Sequence, residues 1–272
     1  MYERGADHGD GRAALFGRQL KRLRAWAGIG RAELGARTGY SESTIASFEQ
    51  GRRIPSRQFI ERADEVLGAH GVLLELVEEM ERAQYPPFFQ DAAKLEREAV
   101  ALHVFAVQAV PGLLQTEEYA RAVFTMWRPA LDEETIEQRV AARLARQEIF
   151  ARKPMPTISF VMEDAVLRKC LGGWPVMRGQ LEQILLVGHR RNVEIQVMPD
   201  DREEHAALFG RFTLIETVKG RRIAYVDAHT SSRLYTDRQT VREMEERYGV
   251  LRAQALTPRQ SLAHVEKLLG ER

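Results

Sequence analysis

The sequence predicts a mainly α domain over residues 12–84 followed by an α+β domain over residues 88–272. Two observations divide the chain in this way. Apolar residues recur at helical spacing from Leu15 to Met80, whereas strand-like runs rich in Val, Ile and Phe appear only after residue 156. Charge is polarised along the chain as well: Arg12 to Ile60 holds ten basic residues against three acidic ones, and Glu61 to Val110 holds ten acidic against four basic. A basic segment of this kind suits a polyanion, because phosphate neutralisation releases counterions. Taken alone, the charge fits a solvated basic surface equally well.

The elements follow in order. Residues 1–11 are polar and Gly-rich and are expected to be a disordered lead. Leu15, Phe16, Leu20, Leu23 and Trp26 recur at helical spacing, and Gly28 is placed to close that helix. A second short helix is expected from Arg31 to Thr38, and Gly39 permits a sharp turn. Ser41 can then N-cap a third helix from Glu42 to Gln50. Pro55 and Ser56 open a fourth helix, and a fifth is expected from His70, with Val72, Leu73, Leu76, Val77 and Met80 on one side. Tyr85, Pro86 and Pro87 break the pattern and set the domain boundary. Beyond it, helical patterns cover 92–105, 116–127, 133–152, 164–171 and 176–188. Strands are expected at 157–162, 193–198, 209–217 and 222–227, and helices at 237–255 and 258–269 close the chain.

Residues 31–48 carry the most specific signal. With Arg31 as the first position, Leu34, Thr38, Ile45 and Phe48 fall where two short helices meet. Gly35 falls at their closest approach and Gly39 at the turn. Together these define a helix-turn-helix, so the fold class is a mainly α N-terminal helix-turn-helix domain plus an α+β C-terminal domain.

The segment GRQLKRLRAWAGIGRAELGARTGYSESTIASFEQGRRIPS resembles the XRE/Cro-like family of phage-repressor-type regulators. The resemblance implies a five-helix domain that lays its third helix in the major groove of double-stranded DNA. By position it implies that Glu42, Ser43, Thr44 and Ser47 form the DNA-reading stretch, with Glu42, Ser43 and Ser47 at base edges. Arg31, Arg52 and Arg53 then meet phosphate. Two positions depart from the usual family pattern: Arg31 stands where Gln is common, and Ser47 where Arg is common. A serine discriminates among bases less well than an arginine that bonds guanine bidentately. Arg24 and Glu49 resemble a structural ion pair of the family, joining the first helix to the end of the third. Glu42 has a second reading as an acid that favours the helix dipole.

The runs AVPGLLQTEEYARAVF, EQRVAARLARQEIFAR, VMEDAVLRKCLGG, QLEQILLV, VEIQVMPD and GRFTLIE look like blocks of the actinobacterial WhiJ-like regulators. That resemblance implies an antitoxin-like regulator acting with a small companion protein or a ligand sensed by the C-terminal domain. A homodimer is expected, because one short recognition helix covers few base pairs and two-fold pairing doubles the contacts. The stripe from Val72 to Met80 is either a dimer surface or part of its own domain's core, and packing within the domain is favoured.

No catalytic residue, metal or cofactor is expected. Cys170 is the single cysteine, which excludes an internal disulfide and every multi-cysteine zinc pattern and fits a reducing compartment. It reads as a small, partly buried residue. Asp227 and His229, two apart, lack a placed third ligand such as His205. Glu163 and Asp164 are adjacent, so in a strand they point to opposite faces, and Asp164 reads as a cap for the helix that follows. Pro111 and Gly112 read as a turn and Thr116 as a helix cap. The rival reading makes the C-terminal domain a hydrolase using Asp227 and His229. No run of about eighteen apolar residues and no leader of basic and apolar stretches is present. The expectation is a cytoplasmic, nucleoid-associated protein with no membrane partner.

Overall fold

A computed structural model describes residues 8–83, 90–208, 210–228 and 231–271. The chain divides into two compact units, Met1–Asp91 with Asp132–Arg139 and Ala92–Leu131 with Val140–Arg272. The expected boundary at Tyr85–Pro87 lies outside the described residues. Among the described residues, no helix is long and apolar enough to cross a membrane.

The first unit is built from α1 (His8–Trp26), α2 (Arg31–Thr38), α3 (Glu42–Glu49), α4 (Arg57–Val66) and α5 (Val77–Ala83). Helix α1 starts at His8, inside the stretch expected to be disordered. Buried Ala13, Phe16 and Leu20 anchor it, and each further residue toward the N-terminus then adds a backbone bond without a new nucleation cost. The core joins Phe16, Leu20, Leu34, Ile45, Phe48, Phe59 and Ile60. Phe48 and Phe59 meet at a tilt of 48° with centroids 4.5 Å apart, and Tyr40 meets both edge-on. The helix expected from His70 is instead a turn and a 3-10 segment, Leu74–Leu76, before α5. Gly71 at φ +94° breaks the α-helical path. The buried Asp64 carboxylate holds that turn by accepting from the backbone N–H groups of Gly71 and Leu73. Leu73, Val77 and Met80 pack into the core of their own unit, and Val72 stays exposed.

The second unit contains a six-stranded mixed sheet. Its strands are β1 (Ala99–Ala106), β2 (Thr157–Glu163), β3 (Val193–Met198), β4 (Phe212–Thr217), β5 (Arg222–Ala228) and β6 (Ser231–Tyr235), in the order β3-β2-β1-β4-β5-β6. β1, β2 and β3 run parallel, whereas β1–β4, β4–β5 and β5–β6 pair antiparallel. The remaining helices are α6 (Gln90–Glu98), α7 (Glu117–Thr125), α8 (Glu133–Ala145), whose residues through Arg139 count with the first unit, α9 (Asp164–Arg168), α10 (Trp174–Gly188), α11 (Arg238–Gln254) and α12 (Pro258–Gly270).

This α+β architecture matches the expected class, with three local corrections. The helix expected over 92–105 ends at Glu98, and 99–106 form β1, paired on both edges and buried at Leu102 and Phe105. A central strand is apolar on both faces and so loses the alternation that marks a half-exposed strand. β6 was not anticipated, because SSRLY is short and mostly polar, as edge strands tend to be. Asp164 is also not a cap. Glu163 occupies the N-cap of α9 without a side-chain bond, and Asp164 begins the helix.

Alternation along β2 sorts the two faces of the sheet. Ile158, Phe160 and Met162 join Leu102, Ile195, Leu181, Ile184 and Val265 in one core. Val161 joins Phe105, Leu214, Tyr248 and Leu251 in the other. On that second face Ser159 Oγ lies 2.6 Å from His103 Nδ1 and 2.9 Å from the Tyr248 hydroxyl, which fixes α11 against β1 and β2. The PGLLQT run forms a buried 3-10 turn, and Thr116 caps α7 by accepting from Tyr119 N. Gln180 receives a bond from Thr116 N and donates to Leu114 O, and Gln115 donates to Val110 O while accepting from Arg143.

Gln180→Leu leaves the Thr116 N–H and the Leu114 carbonyl without these partners in a buried site. It is expected to destabilise the second unit by about 1–3 kcal/mol in denaturant unfolding. A pH titration of the same transition tests His103. Burial chiefly, with Arg252 nearby, holds its pKa below the ordinary value of 6.5. The unfolded chain therefore binds the proton first, and stability is expected to fall as pH drops below about 6.5. His103→Gln flattens that portion of the curve.

Candidate nucleic-acid interface

The turn between α2 and α3 depends on two glycines. Gly39 caps α2 in the left-handed region, at φ 82°, and its N–H donates to Gly35 O. A Cβ on Gly35 would sit 2.4 Å from Tyr40 O, so the chain can double back only over a bare Cα. Ser41 then N-caps α3, accepting from Thr44 N at 3.1 Å. The first helix closes on the third in the same way. A Cβ on Gly17 would lie 2.5 Å from both the Phe48 and Glu49 carbonyls, and one on Gly51 2.7 Å from Ala14 N. Gly17 was not singled out from the sequence, although a lone glycine inside a helical pattern is a signal of close packing.

Glu49 ties the three helices together. Its carboxylate accepts from Arg24 Nε at 2.5 Å and from Arg31 Nε at 2.7 Å, and its side chain is 1% exposed. Arg24 also donates to Ile29 O, holding the turn between α1 and α2. Burial by itself pushes the Glu49 carboxyl up, but the hydrogen bonds and charges of Arg24 and Arg31 outweigh it, and the pKa lies below 4.5. Arg31, assigned to phosphate from the sequence, thus spends its Nε on Glu49 while its side chain stays 34% exposed.

The remaining site residues sit as follows. Ile45, Phe48 and Glu49 form the buried side of α3. Ser43 and Ser47 lie on the opposite side by helical spacing, Ser43 exposed and Ser47 half-buried. Gln50, also exposed and on that side, was passed over in the sequence because it had been read as the helix end. Glu42 is exposed in the first turn. Thr44 is half-buried and shares a 2.8 Å hydrogen bond with Ser41, which also bonds Ser43 at 2.9 Å. Beyond α3, the backbone N–H groups of Arg52 and Arg53 donate to Ser47 O, and both side chains are exposed. Exposed Ser43 and half-buried Ser47 on the outward side of α3 therefore adjoin exposed arginines at its end. Such an arrangement offers hydroxyls to base edges and guanidiniums to phosphates.

In the second unit the carboxylates of the adjacent Glu163 and Asp164 take different partners. Glu163 accepts from His205 Nε2 at 2.7 Å, and Asp164 from His264 Nε2 at 2.7 Å and Arg168 Nε at 2.6 Å. Cys170 is half-buried, with its thiol 3.7 Å from Arg168 O. His229 and the side chain of Asp227 lie outside the described residues. Among the described residues no three His, Cys, Asp or Glu side chains gather as a metal site.

Residues 15–77 match the family model described as a helix-turn-helix domain, which together with the geometry above defines the N-terminal unit as a helix-turn-helix DNA-binding domain. Residues 89–267, more than half of the chain, match the domain of unknown function DUF5753, and the chain belongs to that family. No curated protein and no solved structure matches it.

Glu49→Ala is expected to destabilise the first unit by about 2–4 kcal/mol in denaturant unfolding followed by far-UV circular dichroism. It strands two guanidiniums, which retain some access to water and so keep the cost near the lower end for broken buried pairs. The pH dependence has a definite sign. A carboxyl whose folded pKa is depressed contributes its full stability above about 4.5 and loses it as pH falls through the lowered value. An acid titration of the wild type is expected to show this loss, and Glu49→Gln to lack it.

Proposed function

We propose that the protein is a sequence-specific transcriptional regulator of the XRE type, allied to the WhiJ-like group. In this reading it binds DNA as a homodimer, and its C-terminal domain responds to a small companion protein or ligand in the manner of an antitoxin-like regulator. The observation that carries the reading is the outward side of α3, where Ser43 and Ser47 adjoin Arg52 and Arg53 on a helix whose inward side is locked by Ile45, Phe48 and Glu49. A rigidly held helix with small hydroxyl side chains can approach a groove closely, and flanking cations set its register. The family match of the larger unit, joined in one chain to a DNA-binding domain, supports a regulatory role for it. The cytoplasm, at the nucleoid, is the compartment where such a protein works. No catalytic step is required.

Capture of genomic fragments by the purified protein, followed by titration of the best fragment at several salt concentrations, tests this. The expected site is an inverted repeat bound about a thousandfold more tightly than random DNA. Arg52→Ala is expected to weaken binding to all sequences and to reduce the salt slope by about one. Ser43→Ala and Ser47→Ala are expected to cost more on the selected site than on random DNA. Equal binding of all fragments, with no difference between the arginine and serine variants, contradicts sequence-specific reading by α3.

A further inference from the structure

The parallel half of the sheet ends in a cavity of about 380 Å³, lined by Asp164, Arg168, Val197, Pro199, Asp201, Arg202, Leu256 and His264. Asp164 and Arg168 follow the carboxyl end of β2, and Pro199, Asp201 and Arg202 follow that of β3. At its carboxyl end each parallel strand leads into a loop free to carry polar groups. The volume suits a small metabolite.

The side chains are arranged as a built site. Asp164 is buried, and both its oxygens are occupied, Oδ1 by His264 Nε2 and Oδ2 by Arg168 Nε. It therefore orients two groups that keep access to solvent: the Arg168 side chain is 46% exposed and that of His264 24% exposed. Anchoring Arg168 through Nε leaves the two terminal nitrogens of its guanidinium in a fixed plane, the geometry that takes an oxyanion bidentately. Arg202, exposed on the facing loop, supplies a second guanidinium. The lining thus sets two guanidiniums, Arg168 and Arg202, against two carboxylates, Asp164 and Asp201, with Asp200 and Glu271 also acting on Arg168. Pro199 and Leu256, both half-buried, add an apolar edge for a short hydrocarbon body.

We infer that this cavity binds a small ligand bearing an oxyanion, a carboxylate or a phosphate, held by Arg168 and Arg202. This deepens the proposed regulatory role by giving the C-terminal domain a ligand site, and it rests on that reading for its biological sense but not for its chemistry.

Calorimetric titration of the full chain with inorganic phosphate, with succinate and with neutral glycerol is the test. Phosphate or succinate is expected to bind with a Kd of about 1 mM or tighter, glycerol not at all, and whichever anion binds identifies the headgroup. Arg168→Gln and Arg202→Gln are each expected to weaken that binding at least about tenfold, the loss expected for one charge-assisted contact. Arg202 is exposed, so its replacement leaves the fold intact even if that of Arg168 does not. Binding of neither anion, or binding unchanged in both variants, overturns the site. Titrating the selected DNA with and without the anion separates the two claims. An anion that binds in the cavity but leaves DNA affinity unchanged upholds the site while removing ligand control from the proposed function. No anion binding alongside intact operator binding removes the site alone.

Discussion

The buried carboxylate of Glu49 is the constraint on which the DNA-binding unit depends. It lies at the end of α3 and accepts from one arginine on α1 and another on α2, so three short helices share one charged centre. A carboxylate taken out of water is costly unless its oxygens are met, and here each oxygen has its own guanidinium. The apolar core beneath, from Phe16 to Phe59, supplies the main stabilisation but no direction. The ion pairs supply direction: they fix the angle at which α3 leaves the core and hence which of its residues face outward.

Two bare backbones make that geometry possible. Gly35 lets the turn fold over α2, and Gly17 lets α1 cross the carbonyls at the end of α3. Larger residues at either place would push the helices apart and pull the arginines from Glu49. The hydroxyls of Ser41, Ser43 and Thr44 complete the start of α3, where Ser41 satisfies a backbone donor and bonds both neighbours. Outward residues are thus presented from a helix held at both ends.

Much of this was legible in the sequence, because a helix-turn-helix is specified by local spacing. The limits of α2 and the turn at Gly39 could be read from periodicity, capping and glycine placement. Arg31 could not be placed, since its partner lies eighteen residues away and its surface position suits phosphate as well as Glu49. In the DUF5753 domain most helices and the strands β2 to β5 stood out by their spacing and their runs of Val, Ile and Phe. β1 did not, because a strand bonded on both edges and buried on both faces is as apolar as a core helix. The cluster at the ends of β2 and β3 was equally hidden. Asp164 and His264 are a hundred residues apart, and only the parallel sheet with α12 packed on it brings them together.

The central claim is that α3, oriented by Glu49, enters the major groove with Ser43 and Ser47 toward the bases. A crystal structure of the full chain on its selected operator tests it most directly. The account predicts both serine hydroxyls within about 3.5 Å of base-edge atoms, with Arg52 and Arg53 on phosphates and the Arg24–Glu49–Arg31 bonds retained. DNA bound along a different surface, with α3 facing solvent, would contradict it.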